Sequence, residues 1–131
     1  GYFATQQEIV KAPSIDGSWL GGGAGMMGTA NDLYLFMQGY EKGEIISPEM
    51  AQLMRQPTHF NYGLGWTLDG GKENAAFYHE GGISGFSTIL FNDPQQKLTV
   101  IALSNIETNI EKIARHLVTL ASASTFIKIN E

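Results

Sequence analysis

Between Tyr78 and Phe86 the chain places His79, Glu80, Ser84 and the glycines Gly81, Gly82 and Gly85, with apolar runs on either side. Such a stretch can present an imidazole, a glycine-lined backbone and free N–H groups at the end of a strand. N–H groups aimed at a developing oxyanion stabilise acyl-transfer transition states, and glycine lets a substrate approach the strand edge. The same residues also suit a tight turn carrying a solvated histidine. Residue types alone favour that turn, so both readings stay open here.

Other chemistries fit less well. His79-Glu80 opens like H-E-x-x-H, but Ile83 stands at the second histidine position, and on a strand residues four apart would not share a helical face. His59 and His116 are distant in sequence, so no metal site is expected. Gly82-Ile83-Ser84-Gly85 has Phe86 where G-x-S-x-G requires glycine, which makes Ser84 a turn residue on this reading. Gly23-Ala24-Gly25-Met26-Met27-Gly28 satisfies G-x-G-x-x-G and opens a helix, but no hydrophobic strand precedes it and no βαβ unit follows. No cofactor is expected, and without Gly-Lys-Ser/Thr there is no P-loop.

The elements that must hold the 78–86 stretch follow from periodicity. Residues 1–20 show neither helical nor strand period and read as a loop-rich lead-in. Thr29 and Asp32 stand at capping-box distance before Leu33, Phe36, Met37 and Tyr40, which predicts a helix over 29–42. Ser47-Pro48-Glu49 starts a second one, over 48–56, with Met50, Leu53 and Met54 on one side. From Tyr62 the period changes to two, and a four-stranded antiparallel meander is expected over 62–104. Its strands run from Tyr62 to Leu68, Asn74 to His79, Ser87 to Phe91 and Leu98 to Ser104. Asn105 is read as the cap of a helix over 106–121 whose stripe is Ile106, Ile110, Ile113, Leu117 and Leu120. Residues 122–131 read as an exit segment. The fold class is therefore α+β: two short helices, then a sheet covered by a C-terminal helix.

Composition sets outer bounds. A chain of 131 residues with 43% apolar and 16% charged residues suits one globular domain. Its net charge of -5, without basic clusters, argues against nucleic-acid binding. No window is apolar enough to span a bilayer and no secretory signal pattern occurs. With no cysteine there are no disulfides or thiolate metal sites, which leaves the compartment open.

Three segments in order resemble the C-terminal part of the serine β-lactamase and penicillin-binding-protein-like hydrolases, a group that includes class C β-lactamases, D-alanyl-D-alanine carboxypeptidases and related esterases. They are Gly22 to Leu33, Tyr62-Gly63-Leu64-Gly65-Trp66, and His79 to Phe86, followed by Ile101-Ala102-Leu103-Ser104-Asn105 and a closing helix. The likeness covers about residues 15–121 and implies a fragment of the β-lactamase/transpeptidase-like fold in residues 21–131. It further implies that His79-Glu80-Gly81 is the family's third motif. His79 would stand near the nucleophile, Gly81 would permit close approach, and the Gly82 N–H would be an oxyanion-hole donor. Glu80 and Ser84 would lie at the substrate.

The departures are informative. No serine has lysine three residues later, Thr125 standing at that distance before Lys128, and neither Tyr-x-Asn nor Ser-x-Asn occurs. The resemblance places both motifs upstream in complete members, so this chain is expected to be truncated and inactive by itself. Glu80 stands where members acting on anionic β-lactams usually carry serine or threonine, which points to an ester or peptide substrate in the complete protein. The family's preceding strands would complete the sheet beside residues 98–104, so that edge is expected to form a homo-oligomer or swapped assembly, or to be filled by residues 1–20 or 122–131. A periplasmic, secreted or cell-envelope location in a bacterium is likewise what the resemblance implies. The competing reading is a non-catalytic module that binds a peptide or a peptidoglycan stem.

Overall fold

The computed structural model describes residues 1–71 and 75–124. Strands β1 (Tyr2–Ala4) and β2 (Ile9–Lys11) form a small hairpin, and a 3-10 stretch at Gly17–Gly23 leads towards helix α1 (Ala30–Glu41). Helix α2 (Pro48–Met54), strands β3 (Thr67–Leu68), β4 (Phe77–Ile83), β5 (Phe86–Asp93) and β6 (Leu98–Ser104), and helix α3 (Ile110–Ser124) follow. The four later strands form one antiparallel sheet in the order β3-β4-β5-β6. This is the expected α+β architecture.

Helix α1 starts where local chemistry dictates. The Asp32 backbone N–H donates to Thr29 Oγ1 while the Thr29 N–H donates to Asp32 Oδ2, so two otherwise orphan amides are satisfied. The Thr29 N–H, and the Thr29 hydroxyl that also donates to Asp32 Oδ2 at 2.8 Å, hold the Asp32 carboxyl below its ordinary value of 3.8. Met37 and Tyr40 then pack with Ala51, Trp66, Leu68, Phe77 and Leu90 on one face of the sheet. On the other face Ile89, Phe91, Val100, Ile110 and Ala114 form a second cluster under α3. Buried Asn92 ties the first face to α1: its Nδ2 donates to Glu41 Oε1 at 2.8 Å, and its Oδ1 accepts from Thr99 Oγ1 at 2.8 Å.

Four local expectations need correction. The lead-in contains the β1/β2 hairpin, which showed no period because its strands are mostly exposed. Instead of a strand from Tyr62, only Thr67 and Leu68 join the sheet. Gly65 at φ 83 and a bond from Gly63 N to Trp66 O at 2.8 Å make a turn, and Leu64 faces solvent. Helix α2 buries Ala51, whereas Met50 and Leu53 are exposed. Helix α3 begins at Ile110, capped by Asn109, whose Oδ1 accepts from Lys112 N, because residues 105–107 are used elsewhere. Tyr2 N donates to Asn105 O and Glu107 N donates to Tyr2 O, which holds that stretch extended beside β1. The buried stripe of α3 is accordingly Ile110, Ala114 and partly Val118, with Ile113, Leu117 and Leu120 turned outward. Asn74, expected to start the second strand, lies outside the described residues, as do residues 125–131 of the expected exit segment.

Candidate functional site

Strand period decides which groups of the 78–86 stretch share a face. Phe77 packs with Met37 and Trp66 while Tyr78 packs against the α3 cluster. Alternation then puts His79 and Gly81 on the α1 side, and Glu80 and Gly82 on the α3 side. Cross-strand pairing agrees, since His79 sits opposite Leu90, and Glu80 opposite Ile89.

The open edge of β4 comes from its short neighbour. β3 pairs only with Phe77 and Tyr78, so no strand covers the outer edge from His79 to Ile83 among the described residues. Ser84 and Gly85 form a two-residue turn between Ile83 and its partner Phe86, with Gly85 at φ 78. A two-residue hairpin of this kind makes the flanking pair a hydrogen-bonded one, and alternation from it directs the main-chain groups of Glu80 and Gly82 to the open edge. A Cβ at Gly82 would meet nothing within 4 Å, whereas one at Gly81 would meet Thr88 Oγ1 at 2.7 Å. The Gly82 N–H therefore lies on an edge that no strand covers among the described residues, and its α3 side is open.

His79 is held at both ring nitrogens: Nδ1 lies 2.7 Å from the Glu80 carbonyl oxygen, and Nε2 lies 2.9 Å from the Tyr62 hydroxyl. Tyr62 was missed as a site residue in the sequence. It lies 17 positions from His79, and the alternation around it indicated a packed strand face. Its one legible signal was membership of Tyr62-Gly63-Leu64-Gly65-Trp66. Ser84 Oγ donates to Pro13 O at 2.9 Å, so that hydroxyl is tied to the segment leading out of the N-terminal hairpin.

A cleft of 650 Å³ lies between β4 and the start of α3. It reaches the Gly81-Gly82 main chain, but its charged lining is Glu80, Glu107 and Glu111, all of one sign. Beside it the Tyr78 phenol is pushed up, first by burial and then by Glu111, with smaller contributions from Asp69 and Glu80, while Arg115 opposes. Acid–base groups of opposite character meet instead at the Tyr62–His79 side. Among the described residues, no group of three or more His, Asp or Glu is placed to hold a metal ion, and no helix is long and apolar enough to cross a membrane.

The family model described as Beta-lactamase matches residues 1–123. The chain belongs to the beta-lactamase family. No curated protein and no solved structure matched it. Family membership and the sheet–helix architecture together make this a beta-lactamase-like chain, and its strand β4 carries His79-Glu80-Gly81.

Proposed function

We propose that this beta-lactamase-family chain is a C-terminal portion that supplies one wall of a serine-hydrolase active site. His79-Glu80-Gly81 serves as the third motif and the Gly82 N–H as an oxyanion donor. The observation that carries this is the unpaired outer edge of β4 beside a doubly hydrogen-bonded His79. An acyl-transfer site needs a polarising donor and a group that holds a proton next to the reacting carbonyl, and that edge offers both. It does not offer a nucleophile, since no Ser-x-x-Lys occurs among the 131 residues. By itself the chain is inactive. A labelled penicillin or fluorophosphonate should leave its intact mass unchanged, and acylation would refute the proposal.

The substrate is an ester or a peptide that carries no carboxylate beside the reacting bond. Glu80, Glu107 and Glu111 line the adjoining cleft, and although Glu111 is paired with Arg115 at 2.8 Å, the carboxylates of Glu80 and Glu107 would meet an anionic β-lactam with a repulsive field. Supplying a segment that carries Ser-x-x-Lys and comparing ester, D-Ala-D-Ala peptide and cephalosporin turnover tests this. Preference for the cephalosporin would contradict it.

A second reading rests on the same edge: an extended peptide, such as a peptidoglycan stem, could add as a strand beside residues 79–83 without any chemistry. Saturable binding of such a peptide by the chain alone would favour it. The other sheet edge carries an assembly proposal. β6 is the last strand in the sheet, and the N-terminal hairpin pairs beyond it, at Ile106, leaving residues 98–104 open on one side among the described residues. Two copies pair there in a homo-oligomer, which light scattering after size exclusion would report as twice the chain mass. A monomer at all concentrations would remove this proposal.

A further inference from the structure

The residue that holds His79 in place belongs to none of the three catalytic motifs. Tyr62 Oη lies 2.9 Å from His79 Nε2, and the two rings meet edge to face at 73° with centroids 6.0 Å apart. On the opposite side of the imidazole, Nδ1 lies 2.7 Å from the Glu80 carbonyl. A carbonyl can only accept, so Nδ1 carries the proton. In the neutral ring Nε2 is then an acceptor, and the Tyr62 hydroxyl donates to it. Both ring nitrogens are engaged, and the valences left over at this pair are the lone pairs of Tyr62 Oη.

The backbone before Tyr62 is shaped for this placement. Phe60 and Asn61 adopt φ values of 48 and 60, a left-handed conformation that asparagine tolerates and that phenylalanine holds only where its surroundings impose it. Burial does not offset the strain, since Phe60 is 98% exposed. What imposes it is a set of main-chain clamps. Thr58 N and Oγ1 both donate to Tyr62 O, at 2.9 and 2.7 Å, and Tyr62 N donates to His59 O at 2.9 Å. Leu68 N donates to Asn61 O at 2.7 Å, which locks the loop to the strand that pairs with β4. The result of these clamps is a fixed tyrosine hydroxyl at the imidazole.

We propose that Tyr62 is a positioning residue of the site. It fixes the tautomer and ring orientation of His79 and caps the imidazole at Nε2 with its own hydroxyl. A ligand group reaching the pair meets an oxygen offering lone pairs, which suits a hydrogen-bond donor such as an alcohol or an amide N–H. The catalytic meaning rests on the reading of His79 given above, whereas the pair itself can be tested without turnover.

The test is a long-range proton–nitrogen correlation spectrum of the histidine side chains in the ¹⁵N-labelled full chain, at a pH where the imidazoles are neutral. Loss of one signal set in His79→Gln assigns it. Wild-type His79 should be protonated at Nδ1. In Tyr62→Phe the tautomer ratio should move towards the Nε2-protonated form by about fivefold, the worth of one net hydrogen bond. Asn61→Gly, which relieves the backbone strain and keeps the hydroxyl, should retain the wild-type ratio and so separates loss of the bond from disturbance of the loop. A wild-type ring protonated at Nε2, or a ratio unchanged in Tyr62→Phe, overturns the proposal. A fixed Nδ1 tautomer together with no turnover after a nucleophile-bearing segment is supplied would sink the hydrolase reading and leave this one standing.

Discussion

Gly63 is the position where the loop carrying Tyr62 presses hardest on the rest of the molecule, and Gly63→Ala turns that pressure into a measurable quantity. A Cβ built there would collide with the Met54 carbonyl oxygen, and would meet the Met54 carbonyl carbon at 3.1 Å and Gln56 O at 3.2 Å. These are main-chain atoms at the end of α2, so no side-chain rotation relieves the contact. The loop must lift, and the bond from Leu64 N to Met54 O at 2.9 Å goes with it. Overpacking costs about 1–3 kcal/mol and the lost bond about 1 kcal/mol. A stiffer unfolded chain returns about 0.7 kcal/mol, since Gly63 does not lie in the left-handed region and alanine is conformationally tolerated there. The net is a loss of about 1.3–3.3 kcal/mol. With an unfolding entropy of about 2.1 cal/mol/K per residue, that lowers Tm by about 5–12 °C in a chain of this size. Thermal unfolding followed by circular dichroism measures it. Gly22→Ala, where a Cβ meets nothing within 4 Å, is the control and should stay near the wild-type Tm. A Gly63→Ala Tm within 2 °C of wild type would refute the reasoning that main-chain contact fixes this loop.

Replacing Asn92 by alanine removes the partner of both Glu41 and Thr99 at a buried position and should cost about 2–3 kcal/mol, read as a lower urea midpoint with unchanged slope. Because the folded-state pKa of Asp32 lies below its ordinary 3.8, the capping box contributes stability above that value. The contribution is lost as pH falls through the lower folded pKa, so Asp32→Asn should flatten the acid limb of stability against pH. Gly82→Ala, with open space around the new methyl, should leave the unfolding free energy from urea titration within about 0.5 kcal/mol of wild type. Leu103→Lys puts a charge on strand β6, where Leu103 is 41% exposed, and should shift any dimer to monomer in light scattering.

What was legible in the sequence was what local chemistry decides. Thr29 and Asp32 make reciprocal bonds three residues apart, so the start of α1 could be read without knowing its neighbours. Leu98 to Ser104 was equally readable, being a β-rich run after the turn at Asp93 and Pro94. The start of α3 was not, because Asn105 and Asn109 are equally good caps in isolation. The choice falls to Asn109 only because Tyr2, about a hundred positions earlier in the chain, takes the backbone of 105–107 into pairing. Tyr62 was hidden for the same reason: a hydroxyl-to-imidazole bond spanning two elements leaves no periodic trace. The open edge at His79 to Ile83 was partly legible in the glycines, but its extent depends on β3 stopping after Leu68.

Adjacent residues of one motif need not act on one side of a strand, and here they do not. His79 shares its face with Leu90 and turns to Tyr62, while Glu80 shares the opposite face with Ile89 and borders the acidic cleft at the start of α3. The main chain links the two faces: the Glu80 carbonyl that accepts from His79 Nδ1 belongs to the residue whose side chain points away. A substitution of Glu80 that keeps the strand in place, such as Glu80→Gln, therefore changes the field in the cleft while the tautomer of His79 is still set by a carbonyl every residue possesses. Glu80→Gln should accordingly leave the His79 nitrogen signals unmoved while improving binding of an anionic ligand at the β4 edge. A His79 tautomer that follows the Glu80 side chain would mean that the carboxylate itself, rather than the main chain, orients the ring.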